Sequence, residues 1–160
     1  MIKAIIFDLD GVLVDTKKIH FEALNEALKK FNYKEIKFED HIKIFDGLPT
    51  NEKLKILNKK ENLPKKNFSK INKYKQKITS EILKKNIKKN KEIFEIFKNL
   101  HKKYKIAVAT NAVNSTLKIC LNKLGISKYI DFKLSNEDII NPKPNPEIYL
   151  RIFIKFGIYP

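Results

Sequence analysis

The stretch IIFDLDGVLVDT, residues 5–16, decides how this chain is read. Three apolar residues run into Asp8 and Asp10, which are separated by one leucine and followed at once by Gly11. The segment KAIIF, residues 3–7, is apolar without alternation, the pattern of a short strand buried on both faces of a parallel sheet. In extended chain an i, i+2 spacing turns both carboxylates the same way. Like charges held that close repel unless a cation, or a proton on one of them, relieves them. Magnesium takes a few carboxylates and keeps its own waters, so it is a natural relief. Gly11 allows the backbone to turn immediately, which keeps the loop compact around a small anion.

Downstream, the period changes. Residues 17–31, KKIHFEALNEALKKF, place Ile19, Ala23, Ala27 and Phe31, with Leu24 and Leu28, on one helical stripe. Further helix-like pieces cover residues 37–45, 51–60 and 67–86, punctuated by Gly47, Pro49 and Pro64. No strand pattern interrupts this block, so it reads as a helical insert. Residues 92–103 then form a helix leading into YKIAVATNA, whose apolar run 105–109 ends in Thr110 and Asn111. A helix over 116–124 with Gly125 as its cap follows, then a weaker strand over 131–135. The proline-rich NPKPNPEIY leads to a helix over 146–156, with Gly157 as its cap. The alternation predicts an α/β fold, a Rossmann-like parallel sheet with right-handed crossovers. Residues 1–15 and 88–160 make this core, and 16–87 make the inserted α-helical cap.

Composition narrows the function classes. The formal net charge is +16, yet Arg151 is the only arginine. Surfaces that read bases lean on arginine, whose planar fork pairs bidentately, so no specific nucleic-acid partner is expected. The lysine-rich run over 84–91 reads as a solvated helix face. No apolar run approaches the length of a membrane span, and no signal peptide is visible at the start. Cys120 is the only cysteine, which excludes an internal disulfide and fits a cytoplasmic protein; its helical position reads as core packing. His41 and His101 carry no functional expectation.

Ligands of open parallel sheets sit beyond the carboxyl ends of the strands. Asp8 and Asp10 leave the first such end. Thr110 and Asn111 leave the second, where a hydroxyl and backbone N–H groups could hold phosphate oxygens. Lys143, held between Pro142 and Pro144, lies at or just beyond the third. Each element alone has a plainer reading as a turn, a helix cap or a rigid loop. In order, at three successive strand ends, they point to one anion site.

These three motifs resemble those of the haloacid-dehalogenase-like (HAD) phosphohydrolases: FDLDGVLVDT the first, VATNA the second and NPKPNPEIY the third. The insert resembles the cap of their subfamily I, which contains phosphoglycolate phosphatases and β-phosphoglucomutases. The resemblance implies a phosphatase acting on a small phosphorylated metabolite through an aspartyl-phosphate intermediate, with Asp8 as the nucleophile. Asp10 would protonate the leaving group and later activate water. Mg2+ would be held by the Asp8 carboxylate and the Asp10 main-chain carbonyl. Gly11, Thr110 and Asn111 would bind the phosphoryl group, and Lys143 would neutralise its charge. Asp10 also argues against carbon–halogen cleavage, because the family's dehalogenases lack that acid. The stretch DGLPTNEKLKIL, residues 46–57, resembles the cap loop that closes over substrate. Thr50 stands there where mutase-type members carry a phosphate-gripping arginine, which favours a phosphatase over a mutase. His20, on the first cap helix, either packs at the hinge or faces substrate.

Family members carry a fourth strand and a fourth, acidic motif, for which this chain has no match; Glu137 and Asp138 precede motif three. The expectation is weak magnesium binding and little turnover by this polypeptide alone, with truncation favoured. It also leaves residues 3–7 as an open sheet edge, where a second copy or a partner chain could pair. The alternative reading is a noncatalytic HAD-fold protein that binds a phosphorylated ligand or a partner.

Overall fold

The apolar run over 105–109 becomes the centre of the sheet. In the computed structural model, which describes residues 2–159, the elements in chain order are β1 (Ala4–Phe7), α1 (Lys17–Lys30), α2 (Phe38–Asp40), α3 (Thr50–Glu61), α4 (Phe68–Asn86), α5 (Lys91–Leu100), β2 (Lys105–Ala109), α6 (Asn114–Leu124), β3 (Phe132–Leu134) and α7 (Glu147–Phe156). The three strands are parallel in the order β1-β2-β3, with Ile6 opposite Ala107 and Ala107 opposite Phe132. The fold is therefore α/β. The chain divides into two compact units, residues 1–15 with 86–160 and residues 16–85.

In the sheet unit, strand periodicity sorts the side chains into two faces. Ala107 and Ala109 of β2 and Leu134 of β3 pack with Ile148 and Ile152 of α7, flanked by Ile6, Phe132 and Phe156. The alternate residues Ile106 and Val108 are equally buried, and Phe7 stacks 4.7 Å from Phe97 of α5. Each such side chain contributes about 1.5–3 kcal/mol when fully buried. Gly125 ends α6 at φ +76°, a left-handed cap conformation that other residues adopt reluctantly. Cys120 of α6 is wholly buried; burial, and then the Asp10 charge, push its thiol up to about 12.

Two expectations change here. Residues 3–7 read as a fully buried strand, but β1 is only half-buried because, among the described residues, it pairs with β2 alone. The lysine-rich run over 84–91 is exposed at its charges but is not one helix face. Helix α4 stops at Asn86 and Ile87 turns inward to 8% exposure. Asn90 then starts α5, its side-chain oxygen accepting the Ile93 N–H at 3.0 Å.

In the helical unit, Leu24, Ala27 and Leu28 of α1 meet Leu54 and Leu57 of α3 and Ile71 of α4, with Phe45 and Leu63 between them. Asn25 is buried among these apolar neighbours because its amide is satisfied twice: it donates to the Ile36 carbonyl and accepts the Ile36 N–H, both at 2.9 Å. The single helix expected over 37–45 is instead the short α2 followed by a π-helical turn, His41–Phe45. Such a turn is wider than an α-turn, and here both His41 and Phe45 are buried. Among the described residues no helix is long and apolar enough to cross a membrane.

His41 is the anomaly of this unit. It has no exposed surface, and neither ring nitrogen has a hydrogen-bond partner among the described residues. Its ring lies 5.5 Å from that of Phe21 and is stacked 6.5 Å from that of Phe38. Burial first, then the Lys53 ammonium, lower its pKa from 6.5 to about 4, against a smaller opposite pull from Asp46. The unfolded chain therefore binds a proton that the folded chain refuses. The stabilisation is complete above pH 6.5 and falls away as pH drops toward 4, by up to about 3 kcal/mol. Urea unfolding of the wild type is expected to show this loss already between pH 6.5 and 5. His41→Phe should keep the neutral-pH stability and flatten the slope; an unchanged slope would exclude this assignment.

Candidate active site

The site grows from the carboxyl ends of the three strands. After β1 the chain folds back tightly: the Leu9 carbonyl accepts the N–H groups of Leu13 at 2.9 Å and Val14 at 3.1 Å. The Gly11 N–H donates to the Val14 carbonyl at 2.8 Å, with Gly11 at φ +78°, where a side chain would be strained. This loop fixes the two acids on either side of the buried Leu9. Asp8 Oδ1 accepts the Leu9 N–H at 2.7 Å, and Asp8 keeps 40% of its side chain exposed.

Lys143 reaches this carboxylate. Its Nζ lies 2.9 Å from Asp8 Oδ1 and donates to the Ala109 carbonyl at 3.1 Å, with only 14% of the side chain exposed. Thr110, wholly buried at the end of β2, donates its hydroxyl to Asp10 Oδ2 at 3.2 Å and accepts the Ala112 N–H at 2.9 Å. Asp8, Asp10, Gly11, Thr110, Asn111 and Lys143 thus belong to one unit and cluster at its strand ends.

Asn111 makes contacts that its expected role did not include. Its Nδ2 donates to the Lys143 carbonyl at 3.0 Å, and its Oδ1 accepts the Lys143 N–H at 2.9 Å. His20 and Thr50 belong to the helical unit. His20 Nδ1 is 3.2 Å from the Lys75 ammonium, and Thr50 Oγ1 accepts from Gln76 Nε2 at 3.5 Å.

Sequence patterns missed Glu147, which organises the third loop. Its carboxylate accepts the N–H groups of Ile140 at 3.0 Å and Asn141 at 2.8 Å, and the Arg151 guanidinium lies at 2.8 Å. The Ile140 and Asn141 N–H groups, in that order, lower its pKa to about 2. The available signal was an acid in the first turn of a helix just after a proline. Glu137 accepts the Asn114 N–H at the start of α6, and Asp138 accepts from the Ser135 N–H and hydroxyl, so both acids serve loop structure.

The donor set fits magnesium in a sparse form. Asp8 and Asp10 lie at one strand end, and one or two carboxylates completed by water and substrate oxygens satisfy this ion. Among the described residues, no group of three or more His, Cys, Asp or Glu is placed to hold a metal.

Comparison with known proteins bears on the family and the fold. The family description "Haloacid dehalogenase-like hydrolase" matches residues 5–160. A phosphorylated carbohydrates phosphatase of Thermotoga maritima is 34% identical over 163 residues, covering 99% of this chain and 72% of the relative. Pyrophosphatase PpaX of Bacillus velezensis is 26% identical over 147 residues, covering 91% and 65%. Among solved structures, CbbY from Rhodobacter sphaeroides in complex with phosphate has a TM-score of 0.87 over 99% of this chain and 74% of its own; at 19% identity this likeness concerns the fold alone.

Replacing the Thr110 hydroxyl tests how tightly the site is built. Thr110→Val keeps the shape but leaves Asp10 and the Ala112 N–H without this partner, and should cost about 1–2 kcal/mol in denaturant unfolding. Thr110→Ser is expected to recover most of that loss.

Proposed function

Because the chain belongs to the haloacid dehalogenase-like hydrolases, we propose that it is a phosphatase of small phosphorylated metabolites that works through an aspartyl-phosphate on Asp8. The observation that carries the reading is the 2.9 Å approach of the Lys143 ammonium to the Asp8 carboxylate. A nucleophilic carboxylate and a phosphoryl group are both anionic. An ammonium fixed beside the first lowers the cost of bringing in the second.

In the first step an Asp8 carboxylate oxygen attacks phosphorus and the bond from phosphorus to the leaving oxygen breaks. Asp10, two residues on in the same loop, gives that oxygen its proton. A water then attacks the phosphoryl group, Asp10 takes the water's proton, and phosphate leaves with Asp8 restored. The Thr110 hydroxyl, 3.2 Å from Asp10, orients the acid throughout. Lys143 offsets the charge shared between Asp8 and the phosphoryl oxygens. Gly11, at φ +78°, lets the chain turn straight after Asp10, and its N–H closes the loop on the Val14 carbonyl at 2.8 Å. Magnesium, held by Asp8 and Asp10, would supply a Lewis acid for the phosphoryl oxygens. The name of the 34% identical relative supports sugar phosphates as the first substrates to try.

A second reading, a phosphate-binding protein without turnover, is favoured by one observation: no third metal-binding side chain joins the two acids among the described residues. It also leaves room for a partner strand along β1. Hydrolysis of para-nitrophenyl phosphate with magnesium separates the readings. The phosphatase should lose activity to background in Asp8→Asn, and roughly 10²–10⁴-fold in Asp10→Asn. Phosphate release that survives Asp8→Asn would remove the proposed chemistry. The 160-residue polypeptide is also expected to bind magnesium with beryllofluoride weakly in isothermal titration; tight one-to-one binding would contradict the sparse donor set.

A further inference from the structure

We infer that Asn111 is a positioning residue for Lys143, acting on the backbone of that lysine rather than through side-chain contact with the phosphoryl group. The inference rests on the reading of Lys143 as the charge-neutralising ammonium, and it gives Asn111 a different part in the same site.

Both hydrogen-bonding ends of the Asn111 amide are directed at one residue, donating at 3.0 Å to the Lys143 carbonyl and accepting the Lys143 N–H at 2.9 Å. A planar amide that pairs with the N–H and carbonyl of a single residue fixes both its position and its rotation. A single hydrogen bond would leave a hinge. The clasp is rooted two residues past the end of β2, whose last residue, Ala109, supplies the carbonyl that receives the Lys143 ammonium at 3.1 Å. The end of β2 and the turn that follows it therefore hold Lys143 at both its head group and its backbone. What remains of the ammonium's reach is aimed at Asp8. On the near side of the loop, Glu147 fixes the N–H groups of Ile140 and Asn141. The loop is thus held at its start and at Lys143 itself.

Lysine is a flexible point charge on a four-carbon stem, with about 2 kcal/mol of rotamer freedom to lose on being fixed. Anchoring the backbone leaves only the stem to be ordered by the two head-group contacts. Removing the clasp should therefore free the residue.

The test follows the lysine directly and does not require turnover. In the intact protein, acylation by a limiting lysine reagent, mapped by mass spectrometry, should leave Lys143 among the slowest lysines. Its backbone N–H should be protected from hydrogen exchange. In Asn111→Ala the exchange of that N–H should accelerate by roughly tenfold, the equivalent of one net hydrogen bond, and Lys143 acylation should approach the rate of exposed lysines. Asn111→Asp retains the acceptor and loses the donor, so intermediate values are expected. Slow labelling of other buried lysines and unchanged circular dichroism show that the variant has folded. Should Asn111→Ala fail to fold, fast exchange at Lys143 in the wild type alone would overturn the inference; so would unchanged labelling in a folded variant. With turnover in hand, a double-mutant cycle adds a second criterion. Asn111→Ala should do little more to kcat/KM once Lys143→Ala is present, whereas additive losses would mean direct contact with substrate and would overturn the positioning role. Absence of phosphatase activity would count against the proposed reaction and leave the labelling result to decide the clasp.

Discussion

Two carboxylates leaving the same strand end need a positive charge nearby, and the nearest one arrives from the far side of the sheet. In the order β1-β2-β3, Lys143 follows the third strand while Asp8 follows the first. Two strand spacings are about 10 Å, too wide for a short side chain to cross unaided. A long stem can cross if its backbone is brought inward and its head is supported halfway. The Ala109 carbonyl at the end of the middle strand gives that support at 3.1 Å. The chemistry of the site thus depends on parallel strands ending at one level, with the middle strand acting as a rest for the ammonium.

The surrounding loops are held mainly by side chains gripping backbone. Glu137 takes the N–H that opens α6, Asp138 the Ser135 N–H and hydroxyl, Glu147 two successive N–H groups, and Asn111 both polar groups of Lys143. Backbone groups in loops lack ladder partners, and burying them unpaired is costly. Polar residues chosen for this task give rigid loops without a larger core. Asn25 does the same in the helical unit, where its amide holds both polar groups of Ile36. The chain therefore uses one device twice, once in each unit.

Much of the fold was legible because it follows from periodicity. The run over 105–109 is β2 residue for residue, and the glycines at 125 and 157 end helices as expected. The grouping of Asp8 with Lys143 was legible because both leave the same carboxyl end of a parallel sheet. What pattern could not supply was pairing across the fold. The half-burial of β1 depends on its having, among the described residues, one neighbour rather than two, and the break in the run over 84–91 depends on Ile87 finding the interior. The contact of the Asn111 amide with residue 143, thirty-two positions away, is likewise one that no local pattern supplies. Glu147 resembles an ordinary helix-start acid until the loop folds onto it.

One burial has a chemical consequence of its own. Cys120 is the only sulfhydryl in the chain, sealed inside the sheet unit with its thiol pushed up to about 12. Thiolate character and access are what expose cysteine to peroxide and to mixed-disulfide formation, and this residue has neither. Oxidants that silence enzymes built around a reactive sulfur would therefore find no accessible thiol here.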